Sequence, residues 1–164
     1  LMDGFTISAA YVPSDGTTQV ESSEDYGFKY TGVEGLTIGA ATGDDNTSAT
    51  AGVETTNMYV TYAMDAFTVG YQTSEADSET ASSDVDFTAL GISYAVTDDM
   101  SISLNSSTHE YEDSTKSDQE ATGISVSYTM GSMTIKANHN TIDNIAGTAT
   151  DDRSGYALSL GFTF

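Results

Sequence analysis

The sequence predicts an all-β protein, a transmembrane antiparallel up-and-down β-barrel with about ten strands present, and three observations carry that expectation. Apolar side chains recur at every second position, as in Phe5, Ile7, Ala9 and Tyr11, within segments dominated by Val, Ile, Thr, Tyr, Ser and Gly. The positions between them are small and polar, with few charges. Brief and long connections alternate strictly along the chain.

Taken in order, the alternation marks strands near residues 4 to 12, 26 to 31, 36 to 42, 56 to 62, 67 to 73, 85 to 96, 100 to 105, 122 to 130, 133 to 139 and 155 to 164. Brief turns fall around Gly32 to Gly35, Ala63 to Ala66, Thr97 to Asp99 and Gly131-Ser132. Long acidic connections span 13 to 25, 43 to 55, 74 to 84, 106 to 121 and 140 to 154. A hairpin thus recurs about every 33 residues, a period shared with helical repeats, but here each unit is two period-two strands. The whole chain, 1–164, reads as a single domain.

Composition excludes several functions. With 25 acidic residues against four basic ones the net charge is −21, which repels phosphate backbones and excludes nucleic acid as a partner. The chain has no cysteine, hence no disulfide scaffold, thiolate metal site or cysteine nucleophile. No apolar run is long enough for a membrane-spanning helix, and Leu1-Met2-Asp3-Gly4 lacks the layout of a secretion signal. Of the 25 acids, only Asp86 falls inside the marked strands.

The apolar set includes Phe28 and Tyr30, Met58, Val60 and Tyr62, Leu90, Ile92 and Tyr94, Ile124 and Val126, and Leu158 and Leu160. A soluble sandwich would carry Lys, Glu and Arg on its other face, whereas here that face is Ser, Thr, Gly and Ala with few charges. Aromatic residues also form two rows. Phe5, Tyr30, Tyr62, Phe67, Tyr94, Tyr128 and Phe164 lie near the brief turns, and Tyr11, Tyr26, Tyr71 and Tyr156 near the long loops, like the interfacial girdles of a membrane barrel. Strands of about nine residues, tilted by about 40°, rise ~25 Å, the height of an outer-membrane apolar band. The apolar face therefore meets lipid and the polar face a lumen.

The last ten residues, Gly155 to Phe164, place an aromatic at the terminus and apolar residues at alternate positions back through Phe162, Leu160, Leu158 and Tyr156. This strand resembles the C-terminal strand of Gram-negative outer-membrane proteins, and the hairpins at Ser93 to Met100 and Tyr128 to Ile135 resemble those of general diffusion porins of the alphaproteobacterial type. The resemblance implies an outer-membrane porin passing small hydrophilic solutes and ions. It implies insertion by the barrel-assembly machinery, which reads the terminal strand, and contact with outer-membrane lipid and lipopolysaccharide. It also implies a homotrimer of sixteen-stranded barrels, with long loops outside and short turns and C-terminus in the periplasm. Met2 to Ile7 parallels Met64 to Val69, which follows a strand, so Leu1-Met2 reads as the tail of an earlier strand and the chain as the C-terminal part of a larger barrel whose constriction loop lies in the other part.

Candidate pore-lining residues are Lys29, Lys136, Asp86 and Tyr59. The two lysines read either as charges acting on passing ions or as solvated wall residues. Acidic mouths should concentrate cations, giving a cation preference. Asp44-Asp45, Glu75-x-Asp77-x-Glu79, Glu110-x-Glu112-Asp113 and Asp151-Asp152 offer oxygen ligands for Ca²⁺ without the spacing of a calcium loop, and read also as solvated loops; no other cofactor is expected. Two alternatives stand beside the porin: a structural or receptor-like barrel without an open channel, and an omptin-like ten-stranded protease using His109-Glu110 or His139. No serine nucleophile stands out, and the reading is of a protein that is not an enzyme.

Overall fold

A computed structural model of the chain describes residues 3–14, 16, 21–46, 52–80 and 82–163. Its ten strands are β1 (Phe5–Val12), β2 (Ser23–Val33), β3 (Leu36–Asp45), β4 (Val53–Met64), β5 (Phe67–Ser78), β6 (Val85–Thr97), β7 (Met100–Tyr111), β8 (Gln119–Met130), β9 (Met133–Asp143) and β10 (Arg153–Phe162). They form one antiparallel sheet in sequence order, and β1 does not pair with β10, so the described sheet is an unclosed part of a barrel wall. Phe164, the terminal aromatic of the expected assembly signal, lies outside the described residues, as do Leu1 and Met2.

Every strand expected from alternation is present, but most run several residues further toward the long loops. The segment expected at 100 to 105 continues to Tyr111, and the one expected at 67 to 73 continues to Ser78. The added stretches are polar on both faces, so nothing in their alternation reports a strand. They remain in the ladder because flanking strands satisfy their backbone groups, as in Asp86↔Glu110 and Glu54↔Asp77. The expectation that only Asp86 lies within a strand is corrected: Glu24, Asp25, Asp44, Asp45, Glu54, Glu75, Asp77, Glu110, Glu120 and Asp143 do too. The loop after β9 contains a short 3-10 turn at Ile145–Gly147, entered through Asn144 at φ 54°.

Burial is inverted relative to a soluble sheet. No apolar residue is buried among the described residues, and the apolar side chains are exposed, Leu104 at 50% and Leu158 at 78%. In β8 the exposed positions are Thr122, Ile124 and Tyr128, while Ala121, Gly123, Ser125 and Ser127 are half-buried. The small polar face is thus the more enclosed one. A small polar face more enclosed than the apolar one is the arrangement of a membrane-barrel wall, whose apolar side meets hydrocarbon.

The cross-strand register sorts the outer face into levels. Near the brief turns stand Met64, Met100, Met130 and Met133, then aromatic residues packed across strands, Phe67 on Tyr94 at 4.4 Å and Phe5 on Tyr30 at 5.1 Å between ring centroids. Aliphatic residues follow, then threonines that pair across strands in three groups, Thr42 with Thr56, Thr73 with Thr88 and Thr108, and Thr122 with Thr141, each group stepped by two residues from the next. Two residues beyond each threonine comes a carboxylate on the same face: Asp44, Glu54, Glu75, Asp86, Glu110, Glu120 and Asp143. From Met100 to Glu110 is about ten residues, ~33 Å along the strand and ~25 Å in height at a tilt of about 40°.

Candidate functional site

The lumen face is the site. Lys29 pairs with Thr6 and Gly39, and Lys136 with Ser127 and Ser159, so both lysines lie on the small polar face. Tyr59 lies on the same face, opposite Gly39 and Gln72. Asp86 does not. It pairs with Glu75 and Glu110, two positions from Thr88 and four from Leu90, and belongs to the lipid-side set above the apolar band. Its assignment to the pore is corrected, because counting back by twos from Tyr94, Ile92 and Leu90 reaches it.

Three charged wall residues escaped the sequence reading. Asp25 and Asp45 have lumen parity on β2 and β3, and Arg153 on β10 pairs with Ile142 in the Lys136 set. Arg153 stands 3.8 Å from Asp151, an exposed pair of little energetic weight. The signal available was parity: Arg153 lies six positions from Ser159, on the same face. Lys116, in the loop after β7, is spent differently, with its ammonium over the Tyr111 ring at 4.7 Å and its stem against Gly147.

Much of the wall's polar surface pairs with itself. Ser103 and Ser125 hydroxyls are 2.7 Å apart, Thr129 and Thr134 3.1 Å, and Asn140 donates to Asn138 at 3.2 Å. The two histidines are on opposite faces. His109 meets Gln119 at 3.3 Å and the Phe87 ring at 4.7 Å on the small polar face, while His139 packs at a tilt against Tyr156, 4.2 Å between ring centroids, on the outer side. Glu110 points away from His109, as neighbours in a strand must. The protease-like pairing of these two is therefore not assembled.

The same geometry bears on metal binding. Asp44 and Asp45 diverge to the outer and lumen faces, and no group of three or more His, Cys, Asp or Glu side chains among the described residues is placed to hold a metal ion. In the loop outside the membrane, Asp113 accepts from the hydroxyl and the amide of Thr115 at 2.7 and 2.9 Å. These bonds, with a smaller contribution from Lys116, hold its carboxyl below the usual aspartate range.

A sheet with an exposed apolar side, a small polar lumen side and carboxylates above the lipid band defines a segment of a transmembrane β-barrel. The chain belongs to the Gram-negative porin family, whose profile matches residues 2–111, and is thus a bacterial outer-membrane protein. No curated protein matches it in sequence. Among solved structures it resembles the anion-selective porin from Comamonas acidovorans, with a TM-score of 0.84 at 10% identity, covering 100% of this chain and 57% of that one. A mutant of Rh. blastica porin superposes with a TM-score of 0.65 at 18% identity, over 87% of this chain and 46% of that one. OmpT, an outer membrane protein of Vibrio cholerae, gives 0.63 at 16%, over 100% and 62%. The chain therefore spans about half to three-fifths of the length of these barrels. At such identities the likeness establishes the fold.

Proposed function

We propose that the chain forms part of the wall of a water-filled outer-membrane channel for passive diffusion of small hydrophilic solutes and ions. The observation that carries this is the inverted burial: small polar residues on the enclosed side, large apolar ones exposed on the other. On this reading no catalytic step is involved. In this reading the complete barrel is a homotrimer inserted by the barrel-assembly machinery. Lipopolysaccharide meets the carboxylate level of the outer face, the long acidic loops face outward, and the brief turns face the periplasm.

The channel prefers cations. Wall charge is nearly balanced, with Asp25 and Asp45 against Lys29, Lys136 and Arg153, so the mouths decide. One mouth carries Glu112, Asp118, Asp151 and Asp152, and the other carries Asp3, Glu34, Asp65, Asp98 and Asp99. The test is reversal potential across a salt gradient in planar bilayers containing the full-length protein. Cation selectivity should be strong near ~0.1 M, where screening reaches about 10 Å, and should fade near ~1 M, where it reaches about 3 Å. Lys29→Glu with Lys136→Glu should raise it further than Lys116→Glu. Anion selectivity at low salt would overturn the preference, and absence of conductance would overturn the channel.

A further inference from the structure

The geometry points to a weak binding site for neutral, ring-shaped polyhydroxylated solutes, a hexose or a short oligosaccharide, in the lumen groove between Tyr59 and Phe87. The inference rests on the channel reading and adds a ligand class to it. The groove has a volume of about 430 Å³, within the size range of small-molecule sites. Its floor is formed where Gly70 pairs with Gly91, a place on the wall with no side chain on either strand. Tyr59 and Phe87 stand two strands apart, roughly 10 Å from the strand spacing.

Both rings are held in place. Tyr59 lies over Gly39, where a methyl group would come within 2.3 Å of the ring, and Phe87 packs on His109 at 4.7 Å. Polar groups lining the groove stand without partners. Among the described residues, Gln72, Asn105 and the Tyr59 hydroxyl make no side-chain hydrogen bond, while on the same wall Ser103, Ser125, Thr129, Thr134 and Asn138 are paired within the protein. An amide offers both donors and an acceptor, which suits adjacent hydroxyl groups, and an aromatic face suits the C–H face of a pyranose ring. Among the described residues none that lines the groove is charged, so ions gain nothing there. An open groove of this kind binds loosely enough for the solute to leave, as conduction requires.

The test uses the full-length protein in planar bilayers with maltose as probe and sorbitol, a polyol without a ring, as comparison. Maltose should reduce the current in a concentration-dependent manner, and sorbitol much less. Tyr59→Ala and Phe87→Ala should each weaken the maltose effect by about threefold to tenfold. Gly39→Ala, which keeps every polar group and displaces the Tyr59 ring, should do the same, while Ser127→Ala elsewhere on the wall leaves the maltose effect intact. Each variant is compared as heat-modifiable, folded barrel. Side-chain amide NMR shifts of Gln72 and Asn105 on titration with maltose provide a readout independent of conductance. Shifts without conductance would retain the site and remove the channel. No current effect and no shifts with maltose, or effects unmoved by all three groove variants, would overturn the inference.

Discussion

Leu158 and Ser159 are consecutive in β10, yet Leu158 lies on the apolar face and Ser159 on the small polar face with Lys136. Leu158→Arg should cost about 2 to 4 kcal/mol in urea unfolding of the full-length protein in lipid vesicles, the cost of a cation near the bilayer midplane, and Ser159→Arg far less. Equal costs would refute the assignment of faces. In the loops, Asp113 should titrate below the ordinary aspartate range, and Thr115→Ala should return it toward the ordinary value, as carboxyl NMR would report. The sign follows from its lowered value: the Thr115 contacts stabilise the loop above the ordinary aspartate range and are lost as the pH falls through the depressed value. At this scale the sequence was legible wherever parity was carried through. Lys29, Lys136 and Tyr59 follow it, the pore assignment of Asp86 does not, and Arg153 lies beyond the last alternating residue of its strand.

The elements were legible to the edge of the lipid band. Within the band, one face must be apolar, so the pattern of β5 from Phe67 to Thr73 is visible; beyond it, Ser74 to Ser78 serve hydrogen bonding alone and leave no periodic trace. The 3-10 turn at Ile145–Gly147 was equally hidden. It depends on distant partners, the Ala146 amide bonding Gln119 and the Asn144 side chain bonding the Asp118 carbonyl. The brief turns lend themselves to a paired experiment. Gly35 and Gly131 both have positive φ, 74° and 59°, but a methyl group on Gly35 would sit 2.1 Å from the Ala63 carbonyl oxygen, while Gly131 has open space. Gly131→Ala should cost roughly 1 to 2 kcal/mol for the left-handed backbone, and Gly35→Ala distinctly more, because two strands must also part. Unfolding of the two variants side by side would measure the difference.

At the scale of the whole molecule, the edges of β1 and β10 do not pair with each other among the described residues, and lipid tolerates no open row of backbone amides. The levels of the outer face matter most at this scale. Methionines and aromatic rings at one end, and a threonine followed by a carboxylate on each of β3 to β9 at the other, make a gauge of fixed span. A barrel marked in this way cannot change its immersion depth. Sinking by one rung would carry a ring of carboxylates into hydrocarbon, so a thicker bilayer must thin around it or exclude it. Folding yield of the full-length protein into vesicles should therefore fall as lipid acyl chains lengthen, and replacing Asp86 and Glu110 with leucine should shift that limit toward thicker bilayers. The carboxylate ring would then act as a selector of membrane, admitting the barrel where the bilayer is thin and refusing it elsewhere.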